Sequence, residues 1–223
     1  VSGSESQDMV IGMGAEEEFV IPCRGDFVAP QQWTVPQLLS RLGCDRHPFF
    51  LKNEADEQRL ASYVWADQVD RMLMLRQGIS ALHRVAHSTA PVQLFAADLP
   101  HDLDVLLAKL IPPSNRVPVV VYNTYLTSYL SCKGRGLETS MERWAKQQKA
   151  PVLWLQWEPM RQNLHPPDLG WLGWTADLWV QGDRHRWYLA WVHPHGAEIE
   201  WLADLAEWGT GFPPATSVDM ASV

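Results

Sequence analysis

Cysteine is scarce in this 223-residue chain: only Cys23, Cys44 and Cys132 occur, an odd number with no CxxC pair. That count excludes a disulfide framework and makes a reducing cytoplasm the expected compartment. No run approaches the roughly 18 consecutive apolar residues that a membrane helix needs. No charged-then-apolar leader opens the sequence, so no signal peptide is expected. Positive charge is short as well, with 18 Lys and Arg against 26 Asp and Glu and a net charge of −8. Nucleic-acid backbones and anionic membranes reward clustered Lys and Arg, so neither is expected as the main partner. The motifs GxxxxGK[ST], GxSxG and HExxH are missing. The one GxG-like piece, Gly12-Met-Gly14, lacks the preceding strand and following helix that a phosphate loop requires. Without such a loop, a dinucleotide-dependent oxidoreductase is disfavoured.

What is present reads as an ordinary globular domain. Hydrophobic residues make up 46% and charged residues 20%, enough apolar material for one sizeable core. Residues 1–17 are rich in Gly, Ser and Glu and are expected to form a flexible segment. A single α/β domain is expected over 18–208, and a loose tail over 209–223. Tryptophan is abundant, and nine of the 12 fall from Trp154 onward. They imply either an aromatic-packed sheet or an exposed aromatic face.

Three short apolar runs set the fold class. Pro91–Ala97 stops at Asp98, Val117–Tyr122 at Asn123, and Pro151–Trp157 at Glu158. Each precedes a loop or helix pattern, which is how parallel strands of an open α/β sheet read, with ligands outside their carboxyl ends. The unbroken VPVVVY run suggests a central strand buried on both faces. Glu18–Cys23 reads as a further short strand. The capping-box pattern Thr34-Val-Pro-Gln37 predicts a helix over Val35–Leu42, stopped by Gly43. Asn53 is suited to cap the next helix, and helical periodicity predicts another over Asp67–Ala86. Leu103, Leu106, Leu107 and Leu110 predict a short helix, and Leu137, Met141, Trp144 and Ala145 one more. After Trp157 the pattern changes. Trp171–Val180 and Arg186–Val192 flank a turn and read as an antiparallel hairpin, followed by a turn at His193–Gly196 and a strand at Ala197–Leu202.

The residues at the strand ends are the candidate site. Asp98 reads first as a helix cap or a solvated loop acid, and second as an acceptor for an adenine amino group or ribose hydroxyl. Asn123 suits substrate orientation or a turn. Glu158 suits a base, a hydrogen-bond acceptor, or a plain loop acid. His193 and His195 resemble a metal pair by type, but two ligands at i, i+2 are too few for a structural zinc site. The turn made by Pro194 and Gly196 accounts for the motif, and no metal is expected.

A longer pattern runs through Arg41-Leu-Gly-Cys-Asp-Arg-His-Pro48, Tyr63-Val-Trp-Ala-Asp-Gln68, Arg71 and Leu75-Arg76. It continues through Phe95-Ala-Ala-Asp98, Val119-Val-Val-Tyr-Asn123, Leu155-Gln-Trp-Glu-Pro159 and Trp187…His195-Gly196…Trp201. This pattern resembles an uncharacterised bacterial family known only as a domain of unknown function, over about residues 18–205. Its members resemble class I S-adenosylmethionine-dependent methyltransferases. The resemblance implies a Rossmann-like sheet of parallel strands ended by an antiparallel hairpin, with S-adenosylmethionine as cofactor and an unknown small molecule as substrate. It further implies Asp98 at the adenine, Asp45 or Asp26 at the ribose, and Tyr122, Asn123 and Glu158 on the substrate side. Ala66 and Asn123 depart from the family's usual Pro and His, and Asn cannot titrate. The family's first strand and its cofactor loop have no counterpart in the sequence. The expectation is therefore a piece of a longer protein, inactive as it stands, with a missing strand between Glu18–Cys23 and Val117–Tyr122. A second function class stays open. In it the chain is a non-catalytic module that docks another chain, or itself, through open sheet edges.

Overall fold

The computed structural model describes residues 21, 23–25, 37–160, 165–204 and 207–208. The expectations for 1–17, 209–223 and Asp26 lie outside them. Chain contacts divide the molecule into two compact units, one of Val1–Val20 with Trp33–His101 and one of Ile21–Gln32 with Asp102–Val223. In chain order the strands are β1 (Cys23–Arg24), β2 (Arg41–Asp45), β3 (Val92–Ala96), β4 (Val119–Thr124), β5 (Val152–Glu158), β6 (Leu172–Val180), β7 (Asp183–Val192) and β8 (Ile199–Trp201). The helices are α1 (Glu54–Ala61), α2 (Val69–Ala86), α3 (Leu103–Leu110) and α4 (Arg135–Ala145). None of the described helices is long and apolar enough to cross a membrane.

The first unit is a parallel β2–β3 pair joined through α1 and α2, with Arg41 opposite Val92 and Asp45 opposite Ala96. Asn53 caps α1 as expected, its side chain accepting from the Asp56 N–H at 3.2 Å. Glu54, Asp56 and Glu57 in the first turn complement the positive end of the helix dipole. Glu57 reaches His83 of α2 at 2.8 Å. The helix expected over Val35–Leu42 is not formed. Residues 37–40 are irregular, and Arg41–Asp45 is a strand. The four-residue capping signal is weak, and pairing with β3 outweighs it. Gly43, expected to stop that helix, sits inside the strand, where a Cβ would come within 2.8 Å of Leu94 Cδ2.

The second unit carries a six-stranded sheet in the order β1-β8-β7-β6-β5-β4. β4 and β5 run parallel, β5 to β8 form an antiparallel meander, and β1 runs parallel to β8. The architecture is a mixed α/β one. The expected hairpin is there as β6–β7. Its turn residues Gln181 and Gly182 both have positive φ, at 53° and 92°, the twist that a two-residue hairpin turn needs. Two strand expectations are corrected. β4 is not central: among the described residues it pairs with β5 alone, as an edge, and Val120 and Tyr122 are 60% and 77% exposed. An unbroken apolar run fits an edge strand as well as a buried one, because only the partners decide. β1 is not separated from β4 by a single strand position but lies at the opposite edge of the sheet, with β8, β7, β6 and β5 between them. Arg24 holds it there through Glu198 at 3.2 Å and Glu200 at 2.7 Å, and Ile21 packs on Ala190, Val192 and Ile199.

Leu137, Met141, Trp144 and Ala145 bury one stripe of α4, and α3 packs beside it through Leu103 and Leu107. None of the nine tryptophans from Trp154 onward is exposed, so they form packing rather than a docking face. Trp154 stacks on Trp179 on the α4 side of the sheet. Trp174 meets Trp157 and Trp201 on the other side.

Candidate functional site

Strand register assembles the site. Because successive side chains alternate faces, residues opposite one another in adjacent strands share a face. Asn123, Gln156, Thr175 and Tyr188 form one such row across β4 to β7. The next row holds Val121, Trp154, Asp177 and Arg186. Both rows lie on the side covered by α4, since Glu138 of α4 reaches Arg184 and Arg186 at 3.3 Å each. An inward-facing row is normally apolar, so a run of four polar side chains there marks a site. Gln156, Thr175 and Tyr188 of the first row and Trp154 and Arg186 of the second, with Thr127, Gly134, Pro159 and Met160, line a cleft of about 100 Å³.

Two buried carboxylates organise it. Asp177 is wholly buried and accepts four hydrogen bonds. Its Oδ1 takes Arg184 Nε at 2.7 Å and Arg186 Nε at 2.8 Å, and its Oδ2 takes Arg186 Nη2 at 2.8 Å and Gln156 Nε2 at 3.1 Å. Burial pulls the Arg186 pKa down, but hydrogen bonding to Asp177 and the charges of Asp177 and Glu138 outweigh it. The guanidinium is held well above its ordinary value. Arg184 lies over the Trp179 ring at 5.1 Å. Glu142 also faces Arg184, at 3.6 Å. A hydrogen bond from Lys146 lowers the Glu142 pKa.

Glu158 is the second. Its Oε1 accepts from Asn123 Nδ2 at 2.6 Å and the Leu126 N–H at 2.7 Å, and its Oε2 from the Thr127 N–H at 3.0 Å and Thr127 Oγ1 at 2.6 Å. Asn123 in turn accepts from Trp154 Nε1 at 2.6 Å. One donor and one acceptor are required of Asn123, and a neutral imidazole offers the same pair. A carboxylate has about four acceptor positions, so Asp177 and Glu158 are both saturated. Neither is placed to take a proton from a ligand. The groups left open toward the cleft, among the described residues, are the Thr175 and Tyr188 hydroxyls, Gln156 Oε1 and Arg186 Nη1.

The strand-end residues separate accordingly. Asn123 and Glu158 come together in direct contact. Tyr122 projects from the opposite face and is 77% exposed. Asp45 and Asp98 belong to the first unit, at the carboxyl ends of the paired strands β2 and β3. Asp45 accepts from the His47 N–H at 2.7 Å, and Asp98 lies 3.7 Å from Arg46. Asp26 is outside the described residues. The His193–Gly196 turn is formed, with the Gly196 N–H donating to the His193 carbonyl at 2.9 Å. Among the described residues no three His, Cys, Asp or Glu converge as metal ligands.

Gln156, Thr175, Asp177, Arg186 and Tyr188 were not singled out by sequence. Only Asp177 left a signal there, an acid inside the apolar run of β6. No curated protein and no solved structure matches the chain. One protein-family model does, described as an uncharacterized protein conserved in bacteria (DUF2332), and it covers residues 9–201. With most of its length accounted for by that model, the chain belongs to this bacterial family.

Proposed function

We propose that this chain binds a small molecule at the carboxyl rim of β4 and β5, as the substrate side of a methyltransferase-like α/β protein. Gln156, Thr175 and Tyr188 carry the reading, because their row places open hydrogen-bonding groups in a cleft on a face that packing alone would make apolar. With Asp177 and Glu158 saturated, the site suits chemistry that needs positioning rather than a titrating base, and methyl transfer is of that kind.

The family resemblance implies S-adenosylmethionine, and the donor set fits half of it. Asp45 and Asp98 at one rim of the first unit are acceptors suited to ribose hydroxyls and an adenine amine. For the methionine half, no glycine-rich strand-to-helix turn exists among the described residues. When bound, the cofactor would supply the methyl group. The part of the first unit is to hold the adenosyl end at Asp98 and Asp45. Calorimetry with S-adenosylmethionine and with adenosine tests this. The two are expected to bind with similar affinity, and Asp98→Ala to weaken both by about tenfold, or about 1.4 kcal/mol. Absence of heat with both ligands defeats the cofactor assignment.

A second reading rests on the edge of β4, which among the described residues pairs with β5 alone. Val119 and Tyr125 give their N–H groups to Pro151 and Trp157, so alternation turns those of Val120, Tyr122 and Thr124 away from β5. From Val119 to Thr124 the strand has no Lys, Pro or bulge of the kind that protects natural edges. In this reading the edge accepts an extended strand from another chain, and in isolation from a second copy. Light scattering after size exclusion is expected to show a concentration-dependent oligomer that Val120→Lys abolishes. A monomer at every concentration removes the reading.

A further inference from the structure

We propose that residues 125–134 form a preformed platform for a flat ring, and that the ligand of the rim is a small molecule carrying an aromatic or heteroaromatic ring. The inference rests on taking the carboxyl rim of β4 and β5 as the ligand side, and it names the ligand's chemistry.

Three observations converge on this segment. The backbone is left-handed at Tyr125, Cys132 and Lys133, with φ of 55°, 50° and 52°. Such conformations are costly for residues with a Cβ and persist only where the surroundings impose them, which is commonly at binding sites. Next to Tyr125 the surroundings include Glu158, three of whose four hydrogen bonds go to Leu126 and Thr127. Gly134 adds to this, with φ of 74° and space for a Cβ only 2.7 Å from Thr127 Cγ2.

What the segment holds out is aromatic. Tyr129 is 81% exposed and Tyr125 48%. Their rings meet edge to face, centroids 6.1 Å apart at 77°. A tyrosine that stabilised the fold would be buried. Here two rings stand in solvent on a segment whose Leu126–Thr127 backbone a saturated buried carboxylate holds, at the end of a parallel strand where ligands of such sheets sit. Thr127, between the two tyrosines, lines the cleft. An edge-to-face pair leaves a free face on one ring and a free edge on the other, and a flat ring satisfies both by stacking and edge contact. Holding the rings in advance lowers the ordering cost of binding.

The test uses the whole chain and NMR titration with nicotinamide, indole and benzoate, with cyclohexanecarboxylate as the saturated counterpart of benzoate. The flat compounds are expected to shift the Tyr125 and Tyr129 ring signals, and cyclohexanecarboxylate to bind at least about tenfold more weakly. Tyr129→Ala is expected to weaken the flat compounds by about tenfold, and Tyr129→Phe to retain them. Tyr129 is so exposed that its removal leaves the fold intact, which the unchanged spectrum of the sheet will verify. Equal binding of the saturated compound, or indifference to Tyr129→Ala, overturns the platform. If the same probes then still shift Thr175 and Tyr188, the rim itself remains a ligand site. If no probe shifts either region, both inferences fall.

Discussion

Asp177→Ala is expected to destabilise the second unit by about 3 kcal/mol, read as a lower urea midpoint at unchanged slope. The size follows from what the variant strands. Asp177 is wholly buried and collects four donors from Arg184, Arg186 and Gln156. Removing it leaves two guanidinium groups against the sheet without their central counter-charge. Breaking a buried pair from one side costs about 3–5 kcal/mol, because the surviving charge is unpaired. The lower end applies here. Arg184 and Arg186 keep 22% and 31% of their side-chain surface in water, and Glu138 still reaches both. Asp177→Asn is expected to cost less, since it keeps one acceptor oxygen for Arg184 and Arg186. A triple variant, Asp177→Leu with Arg184→Met and Arg186→Met, is expected to recover much of the loss, because it removes the charges together with their desolvation cost. A neutral Asp177→Ala would mean that the network adds nothing to stability.

Local pattern and tertiary register differ in how they can be read from sequence, and these elements show why. The Asn53 cap, the long periodic helix α2, the Leu103–Leu110 stripe and the Gln181-Gly182 hairpin turn are each written within a few neighbouring residues, and each forms. The capping box at Thr34–Gln37 is just as local, but it competed with a distant partner, and β2 pairs with β3 instead. The place of β4 at an edge is a statement about which strands lie beside it, which its own six residues do not contain. The site is hidden for the same reason. Asn123, Gln156, Thr175 and Tyr188 are far apart in the chain and become a row only through three strand registers. One of those includes the irregularity at Trp174/Thr175, and a one-residue slip would turn a row to the other face. Glu158 and Asn123 were legible as polar residues ending strands. That they would spend their hydrogen bonds on each other and on the Leu126–Thr127 backbone was not, because saturation is a property of geometry.

Saturation also determines the second large expectation, that Glu158→Gln destabilises the second unit by about 2 kcal/mol despite its matched shape. Each carboxylate oxygen of Glu158 faces two donors. An amide replaces one oxygen by an NH₂ group, which must then face one of the two pairs. Turned toward Thr127, it can be met by a rotated hydroxyl, but the Thr127 N–H has no such freedom. Turned toward Leu126, it opposes both a backbone N–H and the Asn123 amide, and Asn123 can flip only by giving up the bond from Trp154 Nε1. In every arrangement a buried N–H is left facing another donor, which costs about 1–3 kcal/mol. Glu158→Ala leaves all four donors unmet and is expected to cost more. Because three of the four belong to Leu126 and Thr127, the loss is local before it is global. Hydrogen exchange is expected to speed up at Leu126 and Thr127 in Glu158→Gln under conditions where the β6–β7 hairpin stays protected. If Glu158 were a base held ready for chemistry, the glutamine variant would instead keep its stability and its loop protection and lose only function.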